Sequence, residues 1–224
     1  MVTSPEALPE KSAWLVLVPG LATAGYYTLP GSLQQNLWIT FTPQLLAYVS
    51  LAVWALSNHG WKTLLRLDVQ RIGPSLKWGA LVGVALGAVN LSLILFIIPA
   101  LGGDIQFLQE TPHAKAPVWV MFPVGIAVIG MLVELNFRGF QMGRLLTLLG
   151  QSPAGKLGAL LIAALAFSFD PFMVRVFHHL HWIAVWDGLV WGVLLLQTRS
   201  LYATMAAHTV EVWILYVWLK LWFA

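Results

Sequence analysis

Residues 78–100 read WGALVGVALGAVNLSLILFIIPA, and this stretch decides the fold. It is an apolar run without a charged side chain, longer than the roughly 20 residues that a helix needs to cross the hydrocarbon core of a bilayer. Its glycines, in GALVGVALGAV, have the small-residue spacing through which membrane helices approach one another closely.

Working outward from this run, further apolar stretches of spanning length fall at 13–29, 37–57, 117–136, 157–174, 182–197 and 201–223, for about seven spans in all. Composition agrees. The chain is 59% hydrophobic and 9% charged, whereas a soluble domain carries about 25% charged residues. The 12 Trp suit a protein whose indole rings sit at membrane interfaces. The expected fold is therefore all-α: a polytopic transmembrane helical bundle, with residues 1–224 forming one integral membrane domain and residues 1–12 a short cytoplasmic N-terminus. MVTSPEALPEKS has two Glu and two Pro ahead of the first apolar stretch, unlike the basic start of a cleaved signal peptide, so the first span is expected to be retained.

The basic residues set an orientation. Lys11, Lys62, Arg66, Arg71, Lys77, Arg138, Arg144, Lys156 and Arg199 fall on one side of the seven spans, and Lys115, Arg175 and Lys220 on the other. The side richer in Lys and Arg is cytoplasmic. The N-terminus is thus expected in the cytoplasm and the C-terminus outside, and the membrane is expected to be a bacterial inner membrane. Segment 58–77 mixes Trp and Leu with Lys and Arg, as a stretch lying on headgroups does; an ordinary basic loop has the same composition. There is no basic run and no nucleic acid partner is expected. Absence of cysteine excludes a disulfide framework, a thiolate metal site and a Cys nucleophile.

Five titratable side chains lie inside the expected spans: Glu134, Asp170, Asp187, His208 and Glu211. An ionised carboxylate at mid-membrane costs roughly 2.5–3.5 kcal/mol even on the lenient insertion scale, so these groups must face inward, pair or carry a proton. Glu134 and Arg138, four residues apart, share a helix face and can pair. His208 and Glu211, three apart, also share a face, where a carboxylate can orient an imidazole or both can hold water or a metal. Two ligands do not make a zinc site, and the need for a metal or any other cofactor stays open. Asp170 precedes Pro171, a position for a kink or a helix end. His178, His179 and His181 follow Arg175 at the outer boundary, where interfacial histidines are common.

The run Val133-Glu134-Leu135-Asn136-Phe137-Arg138-Gly139-Phe140 resembles the first motif of the CAAX-protease and bacteriocin-processing family (CPBP, or Abi) of intramembrane endopeptidases, usually Glu-Glu-x-x-Phe-Arg-Gly. Further similarities follow in order: AFSFDPF, DGLVWGVLLLQTRSLYA and AAHTVEVW. The likeness spans a family-like core at about residues 117–216. It implies a motif carboxylate acting as general base on water, with histidines polarising that water. Glu134 matches the second Glu of the motif, Arg138 its Arg and His208 the His of the last motif. Three positions depart from the pattern: Val133 stands for the first Glu, the family's presumed base, although some similar members keep a single Glu; Pro171 stands for the second-motif His and Val212 for the final Asn. Asp170 and Glu211 each lie one residue before a vacant position, and one residue turns a helical side chain by about 100°.

The resemblance implies a peptidase acting on a membrane-associated peptide or protein, with Glu134, Arg138 and His208 in the site and Asp170 or Glu211 assisting. The three departures make a catalytically silent homologue that binds, assembles or regulates a membrane partner the alternative. A proton-coupled transporter is the third reading, since intramembrane acids also form proton relays; no inverted internal repeat supports it.

Overall fold

A computed structural model of the 224-residue chain describes residues 10–224. Among them every regular element is helical. In chain order the helices that matter are α1 (Leu17–Tyr27), α2 (Leu37–Ser57), α3 (Ile72–Ser92), α4 (Ile126–Glu134), α5 (Gly143–Leu149), α6 (Pro153–Ser168), α7 (Pro171–Phe177), α8 (Ile183–Thr198) and α9 (Leu201–Trp222). A π-helical segment, Leu135–Met142, joins α4 to α5 without a break.

Three continuous helical stretches are long and apolar enough to cross a membrane: Leu37–Ser57, Trp61–Ala100 and Val118–Leu149. A fourth is obtained if α6 and the helix that follows it, bent by 54° at Phe169 and Asp170, count as one span. Ala13–Tyr27 and Ile183–Thr198 are shorter apolar helices. Large apolar side chains such as Leu56, Trp38, Leu81 and Leu165 are exposed on the outside of the bundle, the arrangement expected where lipid is the solvent.

Helix ends follow local chemistry. Asn36 accepts from the Trp38 amide at 2.9 Å, Ser152 from Gly155 at 3.1 Å, and Asp170 from Phe172 at 3.0 Å, so each satisfies a donor that the first helical turn leaves free. Pro153 and Pro171 occupy first-turn positions, where the missing N–H costs nothing.

The tightest packing joins α3 to α9. Gly79, Gly83 and Gly87 line one face of α3, and a Cβ on Gly83 would lie 2.5 Å from the Ala207 carbonyl oxygen. Without side chains there, the two backbones come into contact. Helix α6 packs on α8 in the same manner: a Cβ on Gly188 would meet Ala164 Cα at 2.9 Å and Arg138 Nη2 at 3.0 Å.

Segment 58–77 is docked into the base of the bundle. Leu65 is buried with Leu51, Trp54 and Phe140. The Arg66 carbonyl accepts from the Leu201 amide at 3.1 Å, and Arg66 Nη1 donates to the Leu195 carbonyl at 3.0 Å, tying the segment to the α8–α9 turn. Buried Arg144 is paired with Glu10, which also accepts from Trp54 Nε1 at 2.9 Å and from the Thr147 hydroxyl at 2.7 Å.

Candidate functional site

Helix α4 ends on Glu134, and the π-helical segment that follows carries the motif into the core, with Asn136 through Met142 all buried. The wider π turn places Asn136 and Gln141 together, Gln141 Nε2 donating to Asn136 Oδ1 at 3.1 Å. Such segments inside α-helices are frequent at functional sites.

Three of the residues singled out in the sequence converge. Glu134 Oε1 lies 3.0 Å from His208 Nδ1 and 3.3 Å from Arg138 Nη1. All three side chains are buried, Glu134 completely. With Glu134 ionised, Nδ1–H donates to it, which fixes the tautomer and leaves Nε2 as the free imidazole nitrogen. Among the described residues Glu134 Oε2 has no hydrogen-bond partner, and neither Nη atom of Arg138 makes a hydrogen bond.

Aromatic rings enclose this cluster. Trp191 stacks on the His208 imidazole, with centroids 4.1 Å apart and planes at 15°. The Arg138 guanidinium lies 4.6 Å from the Phe167 ring centroid and 4.8 Å from that of Trp191, a cation–π arrangement that offsets part of the desolvation of the charge. Gly188 leaves the space that the guanidinium occupies.

Glu211 belongs to a second, adjacent polar group. Asn90 Nδ2 donates to Asp187 Oδ1 at 2.8 Å and to Glu211 Oε1 at 2.6 Å, while Asn90 Oδ1 accepts from Trp186 Nε1 at 3.0 Å. One amide therefore ties α3, α8 and α9 together. Asp170 is placed elsewhere. It accepts from Gln44 Nε2 at 2.8 Å and borders a cavity of about 390 Å³ between α1, α2, α6 and the π segment. Phe137, which lines that cavity, packs edge-on against Phe167 at 5.1 Å and so separates it from the Glu134 cluster.

Among the described residues no three His, Asp or Glu side chains converge in a metal-holding arrangement. His178 and His179 pack against Phe107, and His181 Nδ1 contacts the His178 carbonyl at 2.6 Å. In the loop between the long spans, His113 is partly buried; desolvation first and the charge of His208 second push its imidazole below the ordinary value.

Sequence reasoning did not single out Asn90, Trp191 or Phe167. Asn90 had a signal, an amide in the middle of the most decisive apolar run, where it must find partners. Trp191 follows Asp187 by four residues and therefore shares its helix face. Phe167 lies in the AFSFDPF stretch, four residues before Pro171, but its packing against Arg138 and Trp191 is tertiary and no role follows from the stretch alone.

Fold and site together define a helical membrane protein with an acid, an arginine and a histidine gathered inside its apolar bundle. Residues 115–214, from the end of that loop into α9, match the family model described as type II CAAX prenyl endopeptidase Rce1-like, and this part of the chain is similar to that family. No curated protein and no solved structure matches it.

Proposed function

We propose that this protein is an intramembrane endopeptidase in which Glu134 is the general base and His208 orients and polarises the attacking water. The observation that carries the reading is the division of labour on one carboxylate: Oε1 serves both His208 and Arg138, and Oε2 has no hydrogen-bond partner among the described residues. A carboxylate held rigidly through one oxygen keeps the other for a water proton. Glu134 takes that proton as the water oxygen bonds to the peptide carbonyl carbon and the carbonyl electrons move onto its oxygen. The proton then passes to the leaving nitrogen as the C–N bond breaks. Arg138 balances the charge of Glu134 in the ground state. Glu211 assists indirectly, by holding α9 in rotation through Asn90.

The proposal includes seven membrane crossings with the N-terminus in the cytoplasm and the C-terminus outside, in a bacterial inner membrane. The nine-to-three division of basic residues supports that orientation. The substrate is a membrane-associated peptide or protein.

The aromatic closure of the cluster favours a second reading. Glu134 is 0% exposed, and a sealed ion cluster also suits a silent homologue that binds a membrane partner. Quenched fluorogenic peptides carrying a lipid anchor, presented in proteoliposomes, separate the two. The peptidase reading predicts cleavage by the wild type, with Glu134→Gln and His208→Ala each lowering it by about 100-fold or more while the protein stays folded. Cleavage unaffected by both substitutions would sink it. No cleavage, together with a membrane protein that co-purifies stoichiometrically regardless of these substitutions, establishes the second.

A further inference from the structure

We propose that the cavity bordered by Asp170 binds a single-chain membrane amphiphile bearing a protonated amine. The inference concerns a different place from the Glu134 cluster and stands whether or not that cluster hydrolyses peptides.

The cavity, of about 390 Å³, is within the range of small-molecule sites, about 300–1,000 Å³. Its lining is mainly apolar, with Thr23, Gln44, Asn136, Gln141 and Asp170 as its polar residues. Gly20 of α1 and Ile162, Leu165 and Phe169 on the α6 side all border it and are all exposed. The mouth thus opens sideways, between α1 and α6, toward lipid. An occupant enters from the bilayer, and its chain lies against apolar walls.

Asp170 selects the head. The residue is 3% exposed, and its partners are the Gln44 amide and the backbone N–H groups of Phe172 and Met173, all neutral. Among the described residues no Lys, Arg or His forms an ion pair with it. Arg175, one turn further on, is engaged with the Gln35 carbonyl at 2.8 Å and the Thr40 hydroxyl at 3.2 Å. A buried carboxylate without a counter-charge is costly, and a primary ammonium supplies both that charge and donors for charge-assisted hydrogen bonds. An alcohol of the same chain length supplies only a neutral donor.

The test uses the full chain in phosphatidylcholine nanodiscs, with dodecylamine and dodecan-1-ol as probes and thermal melting as the readout. Dodecylamine should raise the melting temperature of the wild type in a saturable manner, and dodecan-1-ol should not. Asp170→Asn, which keeps a helix-capping side chain, should weaken the apparent affinity for dodecylamine by about tenfold or more. Gly20→Leu adds a side chain at the mouth, where its Cβ meets nothing within 4 Å; its melting temperature without additive should match the wild type's, and the dodecylamine effect should disappear. Equal responses to amine and alcohol, an unchanged response in either variant, or no saturable shift in the wild type each overturn the proposal.

Discussion

Replacing Gly83 by alanine should destabilise the bundle, whereas the same replacement at Gly20 should not. At Gly83 the new methyl group would lie 2.5 Å from the Ala207 carbonyl oxygen and 2.9 Å from Val210 Cβ, while at Gly20 it meets nothing within 4 Å. Ordinary contact begins near 3.4 Å, so α3 and α9 must separate by about 0.9 Å at this level. Both substitutions gain the same helix propensity, about 1 kcal/mol, and that gain cancels when the two variants are compared. What remains is the overpacking term, about 1–3 kcal/mol, which for a chain of this size corresponds to roughly 2–12 °C in melting temperature. Thermal unfolding in maltoside micelles, followed by circular dichroism, measures the difference. The reasoning is refuted if Gly83→Ala melts together with or above Gly20→Ala, because α3 and α9 would then not be in backbone contact beside His208.

Glu10→Ala should cost about 3–5 kcal/mol, since it strips the partner from a buried guanidinium: the Arg144 side chain is 2% exposed and paired with Glu10. Denaturant titration checks this, and an additional Arg144→Leu substitution should recover part of the loss. His113 gives a pH dependence. Its imidazole is held below 6.5 in the folded protein, so the unfolded chain binds the proton more readily and stability falls as pH drops below about 6.5, levelling off under the folded value. His113→Gln should flatten that part of the stability profile, and an unchanged slope would contradict the assignment.

Membrane embedding and an all-helical bundle were legible because they depend on properties summed along the chain, such as the run at 78–100. Pairing of Glu134 with Arg138 was legible because a helix fixes which residues share a face. Convergence of Glu134 with His208, 74 residues apart, was indicated only by the order of family motifs. The separate fates of Asp170 and Glu211 were not legible: one caps α7 beside a cavity and the other hangs on Asn90, and both depend on how α2 and α3 pack. The docked segment 58–77 likewise depends on Leu65 finding Trp54 and Phe140, a contact that amphipathic composition does not encode. Spanning length was the weakest signal, since bends at Phe169 and Asp170 divide apolar stretches that look continuous.

The central claim is that Glu134 and His208 act as one unit, and a double-mutant cycle on peptide cleavage in proteoliposomes tests it most directly. Groups that work as a unit are strongly non-additive, so Glu134→Gln/His208→Ala should cleave no more slowly than the worse of the two single variants. Losses that multiply in the double variant, or cleavage that survives in it, would contradict the account.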